Sequence, residues 1–293
     1  KIMTGAMVPE GADCVFMVER SEADGEGHVR CNGEKTGENI ARCAQDIKNG
    51  GVLLRAGDRI TPACIAVLAG MGCVEPLVSR RPKVAVMATG DELVEPSIKP
   101  GLSQIRNSNG YQTAAQLKQL GADARYAGII RDNEPDLDKA IGSALNSCDV
   151  VILSGGVSMG EFDLVPGVLK KHGVEIQFSK VAIQPGKPTV FGVSDSAYCF
   201  GLPGNPVSTF VIFELLTKPF IFRLMGNHYV PPAVRLPLEE TMTRKFPERK
   251  AWVPATITER GTVRRIPYHG SAHINALCYA DAIISFAIGE STV

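Results

Sequence analysis

The feature that most limits what this chain can become is an alternation that begins at Lys83. Nearly continuous apolar runs at residues 83–88, 124–130, 149–153 and 198–202 are separated by segments with helical spacing. A strand with one wet face alternates apolar and polar residues, whereas a run that is apolar throughout must be buried on both faces. The helical segments start near Asn109, Pro135, Leu164 and Pro206. In the second of them Leu137, Ile141 and Leu145 fall at i, i+4 and i+8, with Asp132 or Asn133 as the N-cap. Buried strands alternating with helices predict a doubly wound, mostly parallel sheet over residues 81–227.

The flanks read differently. Residues 1–50 are loop-rich, with short alternating segments such as Cys14-Val15-Phe16-Met17-Val18, and predict a small β domain. Within residues 51–80, Thr61 can cap a helix that opens on Pro62 and carries Ile65, Leu68 and Ala69 on one face. Arg80-Arg81-Pro82 reads as a linker. Residues 228–293 return to alternation, as in Trp252-Val253-Pro254-Ala255-Thr256-Ile257, and read as a second β-rich domain. The expected fold class is therefore multidomain α/β plus β, with a central parallel-sheet domain between β-rich domains. Neither end of the chain closes an element, so we expect a piece cut at both ends.

Net charge is zero, so no overall field draws the chain to nucleic acid or to a membrane surface, and an anion has to be held locally. No apolar run approaches the roughly 18 residues of a membrane span. The eight cysteines include no CxxC pair, and several sit in apolar runs, which points to buried free thiols and a reducing, cytoplasmic setting. His269 and His273 lack zinc spacing with cysteine, and no Ser-His-Asp or Cys-His arrangement is visible.

In a parallel sheet every strand C-terminus lies on one edge, where ligands bind. The residues after the strands are therefore neighbours. They are Thr89-Gly90-Asp91-Glu92, Arg131-Asp132-Asn133, the stretch 154–163 and Pro203-Gly204-Asn205-Pro206-Val207-Ser208. Ser154, Gly155, Gly156, Ser158 and Gly160 can bring backbone N–H groups against an anion, or can simply make a tight turn. The spacing is neither GxxxxGK[ST] nor GxGxxG. Asp163 reads as a metal ligand or a solvated surface charge, and Asp132 as a rim carboxylate or a cap. Glu92, Asp132 and Asp163 on one rim would repel unless a cation such as Mg²⁺ neutralised them. Lys180 and Lys187 flank the Pro185-Gly186 turn, where they either meet an anionic substrate or sit in solvent.

Several stretches resemble, in order, MoeA-type molybdopterin molybdenumtransferases, of which the gephyrin E domain is the animal relative. They are Ile2-Met3-Thr4-Gly5-Ala6, Gly37-Glu38-Asn39-Ile40, Gln45-Asp46-Ile47, Thr89-Gly90-Asp91-Glu92-Leu93, Asn107-Ser108-Asn109, 154–160, Pro185-Gly186-Lys187-Pro188 and 201–208. The resemblance implies a four-domain homodimer in which residues 1–50 belong to the second domain and 51–80 to the returning part of the first. Residues 81–227 would be the molybdopterin-binding domain and 228–293 the C-terminal β-barrel. It implies insertion of molybdate-derived molybdenum into adenylylated molybdopterin with release of AMP, aided by Mg²⁺ held by Glu92 and Asp163. Catalytic positions would be Thr4, Asp46, Glu92, Asp132, Asp163, Lys180 and Lys187. Substrate would be held by Ser154, Gly155, Gly156, Ser158, Gly160, Pro203, Gly204, Asn205, Pro206 and Ser208. The molybdopterin adenylyltransferase would be a partner that supplies substrate. Gln184 stands where many relatives carry lysine, which shifts anion binding to Lys180 and Lys187. The same resemblance leaves two other readings, an adenylyltransferase and a non-catalytic scaffold. The flanking domains weigh against the first, and the intact acidic and glycine loops against the second.

Overall fold

Strand β1 (Lys83–Thr89) is buried from Val84 onward, and this follows from its place in the middle of a sheet. The computed structural model describes residues 1–33, 39–157 and 164–293. The other strands of the sheet are β2 (Asp123–Ile130), β3 (Val150–Ser154), β4 (Glu175–Phe178), β5 (Val190–Val193) and β6 (Tyr198–Leu202). Their spatial order is β2-β1-β3-β6-β5-β4. β1 pairs in parallel with β2 and β3, and β3 with β6. The β6-β5 and β5-β4 pairings are antiparallel, so the sheet is parallel except at one side. Those two outer strands were not legible as strands in the sequence. They are short; β5 buries only alternate residues, and β4 buries none fully.

The sheet carries a core on each face. Val84 and Val86 of β1 pack with Ala114 and Leu117 of a helix at Asn109–Gln119 and with Ile212, Phe213 and Ile221. Ala85 and Met87, pointing the other way, pack with Leu137, Ile141 and Leu145 and with Val165, Val168 and Leu169. Let α1 denote Pro62–Gly70, α2 Asn109–Gln119, α3 Glu134–Ser147, α4 Val165–Lys171 and α5 Pro206–Ile212. Then α2 and α5 cover one face, α3 and α4 the other, which is the doubly wound arrangement expected. Each fully buried Leu or Ile contributes about 1.5–3 kcal/mol. Asn133 settles the cap of α3, its Oδ1 accepting from the Asp136 N–H at 3.0 Å. Thr61 caps α1 as expected, accepting from the Cys64 N–H, yet α1 buries no residue at all.

The chain divides into two units, Lys1–Arg55 and Ala56–Val293. In the first, the strand expected at Cys14–Val18 is absent: residues 14–17 form no regular element, and Val18 opens a single 3-10 turn. A hairpin of Ser21–Ala23 with Val29–Cys31 forms instead. Among its described residues none is buried. In the second unit, strands β7 (Lys250–Ile257), β8 (Val263–Arg265) and β9 (Ala282–Phe286) form an antiparallel sheet around Met242, Ala251 and Phe286. The pair Ile183–Gln184 joins this sheet, parallel to Lys250 and Ala251. All eight cysteines are free, but only Cys199 is buried, so the expectation of buried thiols holds for that one residue. Burial pushes the Cys199 thiol up to about 12. No helix among the described residues is long and apolar enough to cross a membrane.

Candidate functional site

The C-terminal ends of β1, β2, β3 and β6 meet at one rim. At the end of β1, Thr89 is almost fully buried, and its hydroxyl donates to Asp132 Oδ1 at 3.3 Å. The Asp132 N–H donates in turn to Asp91 Oδ1 at 3.2 Å. Because Asn133 makes the helix cap, the Asp132 carboxylate is turned to the rim. Glu92 lies exposed two residues beyond Gly90, with its carboxylate folded back over that glycine.

After β3 the backbone turns through Gly155 and Gly156, both in the left-handed region at φ 92° and 60°. A Cβ on Gly155 would collide with the Thr89 carbonyl oxygen, and one on Gly156 would stand 3.0 Å from Thr89 Cγ2 and 3.1 Å from Val165 Cγ2. The glycines are therefore demanded twice, by backbone angle and by close approach. The Gly155 N–H is held by the Leu202 carbonyl at 3.1 Å, which ties this turn to the end of β6. Ser154 is buried, and its hydroxyl has no partner among the described residues. Ser158, Gly160 and Asp163 lie outside the described residues.

The turn after β6 packs against the glycine turn, so that a Cβ on Gly204 would meet the Gly155 Cα at 3.7 Å. Pro206 opens α5, and Ser208 is buried in its first turn. Of the side chains that hold this turn, Thr209 and Ser271 were not singled out from sequence, and Asn109 entered only as part of the Asn107-Ser108-Asn109 stretch. Asn109 Nδ2 donates to the Gly204 carbonyl at 2.7 Å, and Thr209 Oγ1 to the Pro203 carbonyl at 2.5 Å. Ser271 accepts from Asn205 Nδ2 at 2.9 Å through its hydroxyl and from the Val207 N–H at 2.9 Å through its carbonyl. Contacts made by residues 66 and 95 positions apart leave no local pattern in a sequence.

Lys180 and Lys187 are brought together by a loop in which the Val181 N–H donates to the Lys187 carbonyl at 2.9 Å, and both are exposed. A Cβ on Gly186 would collide with Ile212, so this turn too needs glycine. Thr4 lies in a turn closed by the Ala6 N–H on the Met3 carbonyl, and Asp46 in an exposed bend. Both belong to the first unit. His269 and His273 stack at 5.2 Å between ring centroids, without a helix and without further ligands. A cavity of about 190 Å³ in the C-terminal sheet is lined by Gln184, Met242, Arg244, Trp252, Tyr268 and Phe286. Arg244 is already engaged, donating to the Arg249, Ala287 and Glu290 carbonyls. The rim, with its carboxylates and glycine turns, is the better candidate for chemistry.

Comparison with known proteins bears on the same regions. A model of the probable molybdopterin binding domain matches residues 85–223, and one of the MoeA N-terminal region (domain I and II) matches residues 1–72. The molybdopterin molybdenumtransferase of Haemophilus influenzae is 41% identical over 228 residues, covering 78% of this chain and 56% of that protein. The Staphylococcus epidermidis enzyme of the same name is 39% identical over 290 residues, covering 97% of this chain and 68% of its own length. A structure of the molybdopterin biosynthesis MoeA protein from Pyrococcus horikoshii matches with a TM-score of 0.76 at 30% identity, over 98% of this chain and 71% of that one. A second matches at 0.79 and 25% identity. The matched stretch thus spans little more than half of the Haemophilus protein and about two thirds of the Staphylococcus one. With the doubly wound domain, its glycine rim and these relatives in agreement, the chain belongs to the molybdopterin molybdenumtransferase family.

Proposed function

We propose that the protein of which this chain is part inserts molybdate-derived molybdenum into adenylylated molybdopterin and releases AMP. The observation that carries this reading is the rim itself, where Thr89, Asp132, Gly155 and Gly204 from four strand ends come within contact of one another. The glycine turn and the Pro203–Pro206 turn packed against it would bring backbone N–H groups to a phosphate. Lys180 and Lys187 supply positive charge for molybdate or phosphate, with Gln184 contributing a neutral amide in between. Asp132, held by Thr89, orients groups at the rim.

A divalent ion is part of this proposal. No group of three or more His, Cys, Asp or Glu that could hold a metal occurs among the described residues. Glu92 and Asp132 nonetheless offer hard oxygen donors on one rim, and Mg²⁺ takes one or two carboxylates and completes its shell with phosphate and water. Glu92 and Asp163 would hold it, and when bound it would neutralise charge on the phosphate being released. We also propose a cytoplasmic homodimer that receives substrate from the adenylyltransferase, with Thr4 and Asp46 of one subunit serving the other's rim. Helix α1 supports a pairing surface. It is apolar all round and buries nothing, and Val74 and Leu77 beyond it are almost fully exposed.

The test is AMP release against Mg²⁺ concentration, with a urea melt in parallel, for the wild type and Asp163→Asn. The substitution keeps size and removes charge. Turnover is expected to fall at least tenfold, about 1.4 kcal/mol in the barrier, with the urea midpoint unchanged. An unchanged rate and metal dependence would remove Asp163 from the site.

A further inference from the structure

Asn109 is nine-tenths buried at the first turn of α2. Its amide is oriented by its neighbour. Only Nδ2 can donate to the Gly204 carbonyl, at 2.7 Å, so Oδ1 is the atom left over, and it has no partner among the described residues. A buried amide oxygen without a donor costs free energy. The side chain is therefore a poor choice for packing alone, and the bond to Gly204 is what it gains.

That bond has a consequence for the peptide beyond it. The Gly204–Asn205 peptide is trans, the sole cis bond among the described residues being Gln184–Pro185. In a trans peptide the N–H points opposite to the carbonyl. Fixing the Gly204 oxygen on Asn109 therefore turns the Asn205 N–H away from α2. Thr209, by binding the Pro203 oxygen, fixes the Gly204 N–H in the same manner. Among the described residues neither N–H has an acceptor. Two successive open N–H groups beside the Gly155 turn suit the oxygens of a phosphate.

We infer that Asn109 is a positioning residue, which sets the Gly204–Asn205 peptide so that its N–H faces the phosphate of the bound nucleotide portion of the substrate. The identity of that ligand rests on the proposed function. The orientation of the peptide does not.

Asn227 provides a matched control, since its Nδ2 donates to the Gly57 carbonyl at 2.6 Å in the same kind of bond away from the rim. AMP binding is measured calorimetrically for the wild type, Asn109→Ala and Asn227→Ala, beside thermal melts. Backbone amide spectra of the same proteins report the Gly204 and Asn205 N–H groups directly. Asn109→Ala is expected to weaken AMP binding at least tenfold and to move the Gly204 and Asn205 amide signals. Asn227→Ala, at a similar loss of melting temperature, is expected to change AMP affinity less than twofold. Equal losses of affinity in the two variants, or unmoved Gly204 and Asn205 signals in Asn109→Ala, would overturn the inference. AMP that fails to bind the wild type would contradict the proposed function instead, and the amide signals would still decide the role of Asn109.

Discussion

At Asp132 and Asn133 the sequence offers two capping residues side by side, and the choice between them decides what the rim contains. Asn133 takes the cap, its φ of −132° and its bond to the Asp136 N–H leaving Asp132 to Thr89 and the rim. Gly155 is as sharply determined. At φ 92°, with the Thr89 carbonyl in the space a Cβ would fill, Gly155→Ala is expected to destabilise the protein by about 2 kcal/mol or more. Gly167, exposed within α4 with nothing near its Cβ direction, makes the contrast. Gly167→Ala should be stabilising by about 0.5–1 kcal/mol, because alanine loses less backbone entropy in a helix. Urea midpoints of the two variants check both, and midpoints shifted in the same direction would contradict the geometry. The glycine and proline turns were legible in sequence because strand-end position and residue type coincide there. The hold that Asn109, Thr209 and Ser271 have on the turn was not, because each acts through a contact that only the folded chain creates.

Among the elements, the parallel strands and their helices could be read from the sequence, since burial on both faces leaves an uninterrupted apolar run. The antiparallel pair β4 and β5 was not read as strands, β4 having no fully buried residue and β5 being only four residues long. The segment at Cys14–Val18 shows the converse, where alternation is present but no strand forms, and Val18 opens a 3-10 turn instead. The stretch Arg80-Arg81-Pro82 read as a linker, yet Arg80 makes a two-pronged bond to Asp149, at 2.7 and 2.6 Å, at the entry to β3. The Lys83 N–H donates to the same carboxylate at 2.7 Å. The Arg80 side chain, and after it the Lys83 N–H, holds the Asp149 carboxyl below the usual carboxylate range. A carboxyl lowered in the folded state contributes stability above its unfolded value, roughly 3.9, and loses it as pH falls through the folded value. Asp149→Asn should therefore cost about 1 kcal/mol near neutrality, with the gap to the wild type closing below about pH 4. Urea melts from pH 7 to pH 3 follow this, and a gap that stays constant or widens in acid would show that Asp149 is not acting through its charge.

For the molecule as a whole, zero net charge means that an anion, as proposed, would be held by the local geometry of the rim and not by an overall field. The family accounts for the order of the motifs along the chain, and the doubly wound domain accounts for why those motifs, far apart in sequence, are neighbours in space. What composition and periodicity could not supply was the part played by the C-terminal sheet. Ser271 reaches the Asn205 turn from that region, and Ile183–Gln184 leaves the central domain to join its strands. The central claim is that this rim carries out molybdenum insertion with loss of AMP. The most direct measurement is AMP released from adenylylated molybdopterin, with and without molybdate, by the wild-type protein and by Asp132→Asn. The account predicts release that requires molybdate and that falls at least tenfold in Asp132→Asn while the urea midpoint stays within about 0.5 kcal/mol of the wild type. Release that is independent of molybdate, or an Asp132→Asn protein as active as the wild type, would contradict it.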